Sequence, residues 1–401
     1  MPDVQAIVSE GLLFALALCA WLLLLAVTAL RLRSYTAAKR ISKKDDPAVR
    51  TTMTSGVSVV ITARDQAEQL ERNLPHVLAQ EGVRFEVVVV TDVSTDETAD
   101  VVARFAAAHP NMRTTFIPAS SRYIDRKKLA VTLGVRAARY EWIVLTEPDC
   151  LPADSHWLEG LSHRFSPDVD VVLGYANYAD DGSRYASRII YERLKDNLRR
   201  FAAADAGLAR GGDGCNLAFR KSTFLAKKGF ADSLTITCGA DDLLVHALAG
   251  PRRTAVVPHA ACAIRQELPA PDAYASRRIA YAETCRHLGR RARLQQLREG
   301  LASSFSWLLM LVFTLYIAIR SEETVRTQAY DTLRLAHDLP ALLSLIVAPL
   351  MPALLLRGSL NVTGEKRFGL RPAFYDLAQP FRWWRRKWQR FRYRHDFVRK
   401  Q

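Results

Sequence analysis

The chain has 401 residues, of which 49% are hydrophobic, and it carries a formal net charge of +15. This length allows one large or two ordinary domains, and the composition allows a packed core together with membrane segments. The six cysteines are scattered and form no CxxC pair, so a disulfide framework and a zinc site are excluded and reduced thiols are expected.

Most of the positive charge lies in two segments. Residues 31–50 contain seven Lys and Arg against two Asp, and residues 357–401 contain 13 Lys and Arg against three acidic residues. The remainder of the chain is near neutral, which does not support the basic groove that a nucleic-acid-binding protein requires. We therefore expect no nucleic acid among the partners.

The first predicted element is a membrane-spanning helix at residues 11–30. These residues contain no charge, and as a helix they would span ~30 Å, the thickness of the hydrocarbon core. The alternative is a cleaved signal peptide, which begins with positive charge, whereas residues 1–10 contain two acids and no Lys or Arg. We assign 1–33 to an N-terminal anchor and 34–55 to a basic linker on the cytoplasmic side.

Residues 56–290 alternate between apolar runs and amphipathic segments, and they predict one α/β domain. Short apolar runs predict strands, and apolar residues at helical spacing predict helices. The predicted strands are 57–62, 85–90, 142–145 and 169–174, and the predicted helices are 65–80, 98–108, 125–139 and 183–203. Strands that alternate with helices imply a mostly parallel, Rossmann-like sheet with right-handed crossovers.

Residues 301–356 contain two further uncharged spans, at 301–319 and 339–356. The second span contains three prolines, which predict a kink or a partly re-entrant segment. Three spans from an outside N-terminus put the α/β domain and the tail at 357–401 in the cytoplasm. Aromatic residues alternate with arginines at 382–394, which predicts a helix on anionic lipid headgroups, with nucleic acid as the alternative.

Two carboxylates, Glu147 and Asp149, follow the apolar run 142–145. Carboxylates disfavour strands, and a buried charge is unfavourable unless it is paired or bound to a metal. At the carboxyl end of a strand they face the crevice where ligands bind, and they can hold a divalent cation and, through it, phosphates. An ordinary acidic loop is the alternative. Asp92 follows the strand 85–90 in the same way, where it can accept hydrogen bonds from a nucleoside.

Two later segments also carry candidate functional groups. The glycines of the loop 211–222 allow the backbone to approach a ligand closely, although a plain turn is the alternative. Asp241 and Asp242 open an apolar helix, where they are either ordinary N-terminal acids or a general base.

Together these segments resemble the family-2 inverting glycosyltransferases of the GT-A fold, in their membrane-anchored bacterial form. The resemblance covers residues 55–285 and rests on VSVVITARDQAEQL, VVVVTDVSTDET, YEWIVLTEPDCLP, GGDGCNLAFRKSTF and CGADDLLV. Gln66 departs from the family pattern after Asp65, Glu147 replaces the first Asp of the DxD motif, and Ala240 replaces the first acid of the base motif. The Gln-x-x-Arg-Trp motif of processive members has no match near 276–281, which favours transfer of a single sugar.

The resemblance implies a role for each matching position. The implied nucleotide-sugar ligands are Asp65, Asp92, Lys128, Glu147, Asp149 and Arg278. Asp149 would also hold Mg²⁺ or Mn²⁺, and Gly214 and Asn216 would face the acceptor. Asp241 would be the general base, with Asp242 as the alternate. A solvated helix residue is the alternative for Lys128.

The implied reaction is a single in-line displacement in which a hydroxyl of a lipid-linked or cell-surface glycan acceptor takes the sugar from a nucleotide sugar, expected to be UDP-linked. Membrane lipid is a further expected partner. The implied location is the bacterial inner membrane, with the catalytic domain in the cytoplasm and a role in polysaccharide biosynthesis for the cell envelope. The alternative is a membrane-anchored binding or scaffolding protein whose domain of the same fold has lost catalysis.

Overall fold

The computed structural model of the chain describes residues 31–44, 56–118, 125–209, 211–234, 236, 238–288 and 353–392, with isolated positions elsewhere. The chain divides into two compact units. The larger unit comprises residues 36–293, 358–366 and 395–401, and the smaller comprises 1–35, 294–357 and 367–394.

Within the described residues, the larger unit contains ten strands in two sheets. The strands are β1 Val57–Ala63, β2 Phe85–Thr91, β3 Met112–Phe116, β4 Trp142–Thr146, β5 Cys150–Pro152, β6 Val171–Gly174, β7 Ala176–Tyr178, β8 Leu217–Arg220, β9 Thr254–Val257 and β10 Ile264–Gln266. Seven of them form one sheet in the order β3-β2-β1-β4-β8-β6-β9. Only β8 runs antiparallel to its neighbours in this sheet, so the predicted mostly parallel α/β sheet is confirmed.

The second sheet has three short strands in the order β5-β10-β7. The central strand β10 runs antiparallel to β5 and parallel to β7. Gln266 of β10 pairs with Cys150 on one side and with Tyr178 on the other. The sequence did not predict this sheet, because three residues are too few to show an alternating pattern.

Helices cover the larger sheet. They are α1 Ala37–Lys43, α2 Ala67–Leu78, α3 Thr98–Ala108, α4 Arg126–Ala137, α5 Trp157–Ser162, α6 Arg184–Asp205, α7 Lys221–Ala226, α8 Ala240–Leu248 and α9 Pro271–Thr284, with 3-10 turns at Ala231–Ser233 and Ala260–Cys262. The helices predicted at 65–80, 98–108, 125–139 and 183–203 correspond to α2, α3, α4 and α6.

The main core lies between the central strands and these helices. Val87, Val89 and Val144 of the strands are fully buried, as are Leu70 of α2 and Trp157 of α5. A parallel strand that is covered on both faces has a continuous apolar sequence, which explains the FEVVVV stretch of β2. The core therefore fixes the ends of the strands, where the acidic residues lie.

The stretch predicted as a basic linker contains α1. Ala37, Ala38 and Ile41 of this helix are buried within the larger unit. Arg40 and Lys44 bind the carboxylate of Asp205, the last residue of α6, at 3.0 and 2.8 Å. At least this part of the 34–55 stretch is therefore packed against the α/β unit.

The smaller unit contains α10 Arg371–Leu377 and α11 Gln379–Arg392. Among the residues that the structure describes, we find no helix with the length and apolar character that a membrane crossing requires. The spans predicted at 11–30, 301–319 and 339–356 lie outside the described residues, apart from isolated positions and the stretch that begins at residue 353.

Candidate functional site

The site lies at the carboxyl ends of the parallel strands. Strand β1 pairs with β2 and β4 in parallel, so all three end at the same edge of the sheet. Asp92 follows β2 directly, and Glu147 and Asp149 follow β4. The chain then enters β5 at Cys150, which carries the two carboxylates to the edge of the smaller sheet.

One amide group binds both carboxylates after β4. Nε2 of Gln266 donates hydrogen bonds to both oxygens of Asp149, each at 3.0 Å, and to Oε2 of Glu147 at 3.2 Å. Oε1 of Gln266 accepts a hydrogen bond from the Arg193 guanidinium at 2.7 Å. Because Arg193 can only donate, this contact fixes which end of the amide faces the carboxylates.

Arg193 of α6 also holds the glycine loop that precedes β8. Its guanidinium makes hydrogen bonds of 2.9 to 3.0 Å with both carboxylate oxygens of Asp213. It also lies over the ring of Tyr178, 4.3 Å from the ring centroid. Burial raises the pKa of Asp213, but Arg193 and Arg200 outweigh this effect and hold the pKa below its ordinary value. One arginine thus joins the loop to the carboxylate pair.

Lys127 lies between the carboxylate pair and the start of α8. Its Nζ is 2.6 Å from Oε1 of Glu147 and 3.6 Å from Oδ1 of Asp241. Burial lowers the pKa of Lys127, but the two carboxylates outweigh it and hold the pKa well above its usual value. Lys127 also lowers the pKa of Glu147. The amine therefore carries a positive charge at neutral pH.

Asp241 is the more accessible of the two acids that open α8. Its side chain is 27% exposed, against 9% for Asp242. Burial raises the pKa of Asp241, while Lys127 lowers it. A Cβ on Gly214 would lie 2.5 Å from the Asp241 carboxylate carbon, so the glycine loop can approach this acid only without a side chain.

Asp242 contacts α6 instead. Its Oδ1 accepts a hydrogen bond from Arg200 at 3.2 Å, and a Cβ on Gly211 would lie 2.3 Å from the same oxygen. Burial raises the pKa of Asp242 to about 6, although Arg200 opposes the shift. The two acids therefore have different neighbours, and Asp241 is the one beside Lys127.

Arg277 of α9 is the second cation near the carboxylate pair. One of its terminal nitrogens lies 4.0 Å from Oδ2 of Asp149. Its side chain is 48% exposed, so it can also contact a ligand. Lys127 and Arg277 thus place positive charge beside Glu147 and Asp149.

The first turn of α4 contacts both Glu147, through Lys127, and Asp92, through Arg126. Arg126 binds both carboxylate oxygens of Asp92, with its Nε at 2.5 Å from Oδ2. Burial raises the pKa of Asp92, but hydrogen bonds from Arg126 and from the Val93 N–H outweigh it and lower the pKa. Asp92 therefore remains ionised, and Arg126 occupies its carboxylate.

Asp65 lies beside the turn that follows Asp92. It has a positive φ of 50°, and its Oδ1 accepts hydrogen bonds from the Thr95 N–H at 2.6 Å and from the Thr95 hydroxyl at 3.0 Å. Its own N–H donates to Ser94 Oγ at 3.1 Å. Asp65 thus orders the loop after β2.

Three of the predicted site residues have their partners away from Glu147 and Asp149. The amine of Lys128 is buried and bonds the carbonyl oxygens of Ser233, at 2.8 Å, and Ile236. Arg278 is paired with Asp196 of α6. The neighbouring residues Lys127 and Arg277 face the carboxylates instead, because adjacent positions on a helix point about 100° apart.

Asn216 is the third such residue. Its amide is buried, donates to the carbonyl oxygens of Tyr175 and Cys262 at 2.8 and 2.9 Å, and accepts from the Trp157 indole at 3.1 Å. These contacts occupy the amide inside the fold, and the predicted acceptor-side role of Asn216 stays a prediction. Gly214 does contact the cluster, through Asp241.

Sequence reasoning missed several residues of the site, namely Arg126, Lys127, Arg193, Asp213, Gln266 and Arg277. Lys127 and Arg277 each stand next to a predicted residue, so a helical projection of α4 and α9 could have suggested them. Asp213 lies in the glycine loop that the sequence singles out. Gln266 and Arg193 carry no local pattern, since only the tertiary fold brings them to the carboxylates.

The carboxylates fit the Mg²⁺ or Mn²⁺ ion that the sequence predicts at Asp149. Burial and the neighbouring Glu147 both raise the pKa of Asp149, which indicates repulsion that a cation would relieve. No group of three or more His, Cys, Asp or Glu within the described ranges is arranged to hold a metal. Two carboxylates still suffice when phosphates of a substrate supply further ligands, as is usual for Mg²⁺.

Comparisons with known proteins agree with this architecture. The sequence model of the family Glycosyl transferase family 2 matches residues 58–225. The succinoglycan biosynthesis protein ExoO of Rhizobium meliloti (strain 1021) is 38% identical over 96 residues, which are 23% of this chain and 25% of ExoO. The chain therefore spans about a quarter of the length of this curated relative.

A solved structure shows the same fold. The mannosyltransferase PcManGT from Pyrobaculum calidifontis, in complex with GDP-Man and Mn²⁺, superposes with a TM-score of 0.56 at 21% identity, over 83% of this chain and 99% of PcManGT. The matched residues 58–225 include β1, β2, β4 and the acids that follow them. Residues 58–225 are therefore similar to the Glycosyl transferase family 2 model, and the chain shares its α/β fold with PcManGT.

Proposed function

We propose that the chain is a metal-dependent, inverting glycosyltransferase that moves one sugar from a nucleotide sugar to a hydroxyl group. The observation that carries the proposal is the arrangement of Glu147 and Asp149 beside two cations, with Asp241 within 3.6 Å of one of them, Lys127. Similarity to PcManGT, solved with GDP-Man and Mn²⁺, supports a nucleotide sugar and a divalent cation.

Each group of the site has a separate role in this proposal. Glu147 and Asp149 hold the divalent cation, which neutralises charge on the diphosphate when bound. Lys127 and Arg277 bind diphosphate oxygens and stabilise the charge that develops as the diphosphate leaves. Asp92 and Asp65 lie at the strand ends where the nucleoside binds. Because Arg126 occupies the Asp92 carboxylate, the pair would contact the nucleoside together.

Asp241 is the proposed general base. It takes the proton of the acceptor hydroxyl while that oxygen forms a bond to the anomeric carbon, and the bond from this carbon to the diphosphate breaks with its electron pair leaving on the diphosphate. Attack from the face opposite the leaving group inverts the anomeric configuration. The raised pKa of Asp241 makes it a stronger base than an exposed aspartate.

The location and the acceptor belong to the same proposal. The three predicted spans would anchor the chain in a bacterial inner membrane with the α/β domain in the cytoplasm. An acceptor on a lipid or on a growing surface glycan would then reach the site from the membrane, in polysaccharide biosynthesis. Similarity to the succinoglycan biosynthesis protein ExoO supports a polysaccharide product.

A donor panel tests the proposal. Thermal shifts of the full-length protein are measured with Mn²⁺ and UDP-, GDP- or dTDP-sugars, because a ligand that binds only the folded state raises its stability. Hydrolysis of the bound sugar nucleotide then separates an enzyme from a scaffold of the same fold. A shift without any hydrolysis or transfer would favour the scaffold.

Asp241→Asn tests the base. We expect turnover to fall by at least about 10²-fold, since that is the usual contribution of a general base. Nucleotide binding should persist, because the carboxylate pair and both cations remain in place. Asp242→Asn is the matched comparison. If both variants turn over normally, the assignment of the base to this helix start is wrong.

A further inference from the structure

The C-terminal segment 358–366 belongs to the larger unit and is anchored there by a buried carboxylate. The side chain of Glu365 is 7% exposed. Its Oε1 accepts hydrogen bonds from the Tyr175 hydroxyl at 2.7 Å and from Asn177 Nδ2 at 3.0 Å, and it is paired with the guanidinium of Arg265. Three donors from two strand regions thus converge on one oxygen.

Packing around this carboxylate holds the segment in place. Ser359 and Thr363 are fully buried, and the chain turns at Gly364 with a φ of +68°. A Cβ on Gly364 would lie 2.7 Å from Cβ of Ala260, so this turn packs directly against the 3-10 turn Ala260–Cys262. Removing the Glu365 carboxylate would leave Arg265 and Tyr175 without this acceptor in a buried position.

Glu365 and the carboxylate pair Glu147 and Asp149 lie on opposite faces of the three-stranded sheet. Side chains alternate along a strand, so Arg265 and Gln266 of β10 point to opposite faces. Arg265 pairs in register with Asn177, and both contact Glu365. Gln266 lies on the other face, where it binds Glu147 and Asp149.

We propose that Glu365 is a positioning residue. It holds β10 from the sheet face opposite Gln266, so that the Gln266 amide stays aligned with Glu147 and Asp149. The inference rests on the proposed function only where it concerns the divalent cation. Glu365 itself touches neither the carboxylates nor a ligand, and it acts through Arg265 and the backbone of β10. The segment after the third predicted span thereby contributes to the geometry of the site.

The test compares full-length Glu365→Ala and Glu365→Gln with Lys366→Ala. Lys366 is the matched control, because its side chain is 83% exposed and, within the part of the chain that the structure describes, its ion pair is with Asp180, at 3.2 Å. Hydrogen–deuterium exchange is measured without metal. We expect Glu365→Ala to raise exchange at 147–152 and 264–267 while 57–63 stays protected, and Lys366→Ala to change none of these.

Binding of Mn²⁺ provides the second readout, by electron paramagnetic resonance of the free ion. Loss of a group hydrogen-bonded directly to metal ligands weakens metal affinity by about 10- to 100-fold. Glu365 is one step further from the ligands than Gln266, so Glu365→Ala should raise the Mn²⁺ concentration at half-saturation by a smaller factor than loss of the Gln266 amide. Glu365→Gln should give a smaller change, because its amide oxygen can still accept from Tyr175 and Asn177. Gln266→Ala removes the directly bonded amide and should give the largest change in the same direction, at least about tenfold.

The outcomes separate this inference from the proposed function. If Glu365→Ala melts at a lower temperature but exchange at 147–152 or the Mn²⁺ half-saturation is unchanged, Glu365 is a purely structural anchor and the inference is overturned. If the wild-type chain binds no Mn²⁺, metal dependence fails, and the exchange pattern alone decides whether Glu365 positions β10.

Discussion

Arg277 and Arg278 are neighbours on α9, yet they lie in different surroundings. Arg277 is half exposed beside Asp149, whereas Arg278 is 19% exposed and paired with Asp196. We expect Arg277→Ala to weaken binding of a nucleoside diphosphate with Mn²⁺ by roughly tenfold, as for loss of one charge-assisted contact. The melting temperature of this variant should stay near that of the wild type.

Arg278→Ala is the matched control for that experiment. Removal of Arg278 takes one partner from the buried carboxylate of Asp196, which keeps Arg199 at 3.0 Å, so this variant should melt at a lower temperature. Nucleotide affinity of its folded fraction should stay close to that of the wild type. Isothermal titration and thermal melting of both variants measure the two effects, and the opposite pattern would return the site role to Arg278.

Asp242 gives a pH prediction. Its pKa is about 6 in the folded chain against an ordinary 3.8, so the folded state holds this proton more tightly than the unfolded chain. The group therefore contributes stability that is fully present below pH 3.8 and is lost as the pH rises through about 6. The shift corresponds to roughly 3 kcal/mol of unfolding free energy.

Asp242→Asn removes that titration. Relative to the wild type, we expect the variant to gain unfolding free energy between about pH 4 and pH 7, by up to that amount. Urea unfolding of both proteins at several pH values measures the difference. A constant difference across this range would show that Asp242 is not the titrating group.

Sequence reasoning singled out the acids of the candidate site but not the residues that contact them. Glu147, Asp149 and Asp241 were predictable because each follows a buried strand or opens an apolar helix. Lys128 and Arg278 were predicted where the structure places Lys127 and Arg277, since residue type alone cannot distinguish adjacent positions on a helix. Asn216 lies in a glycine loop, where the sequence predicted that it faces the acceptor. Only the fold shows that three partners occupy its amide.

Among the elements, α11 is the one whose surface suggests a partner. Phe381, Trp384 and Trp388 are exposed and follow a spacing that puts them on one helix face. The first turn contains no acidic residue, and Lys387 lies 4.0 Å from the centroid of the Trp383 ring. An aromatic face flanked by Arg and Lys is typical of a helix that lies on anionic lipid.

This prediction is tested in nanodiscs that contain brominated phosphatidylglycerol, which quenches nearby tryptophan fluorescence. We expect less quenching in the Trp384→Phe/Trp388→Phe double variant than in the wild type, because these rings would enter the interface. Trp383→Phe, which alters a ring off this face, is the control. Equal quenching in all three proteins would contradict lipid contact by α11.

The large sheet was predictable at the level of elements, whereas the small sheet was not. Long apolar runs in β1, β2 and β4 report burial on both faces, and alternation with helices implies parallel pairing. Strands β5, β7 and β10 have three residues each and pair with distant partners. Gln266, the residue that joins the carboxylate pair, belongs to this small sheet and carried no sequence signal.

At the scale of the whole molecule, the sequence predicts three spans with the N-terminus outside and the tail inside. Epitope tags at the two ends test this arrangement in spheroplasts, in which external protease reaches the outer face of the inner membrane. We expect only the N-terminal tag to be cleaved by external protease, because an odd number of spans separates the two ends. Protection or cleavage of both tags would require an even number of crossings.

The fold is expected to tolerate substitution of Arg193 poorly. A single guanidinium contacts Asp213, Gln266 and the Tyr178 ring, and these lie on three different parts of the chain. Lysine cannot replace it, because an ammonium group has neither the planar fork nor the three separate donor nitrogens that these contacts use. Substitution at this single position would therefore disturb three separate parts of the chain at once.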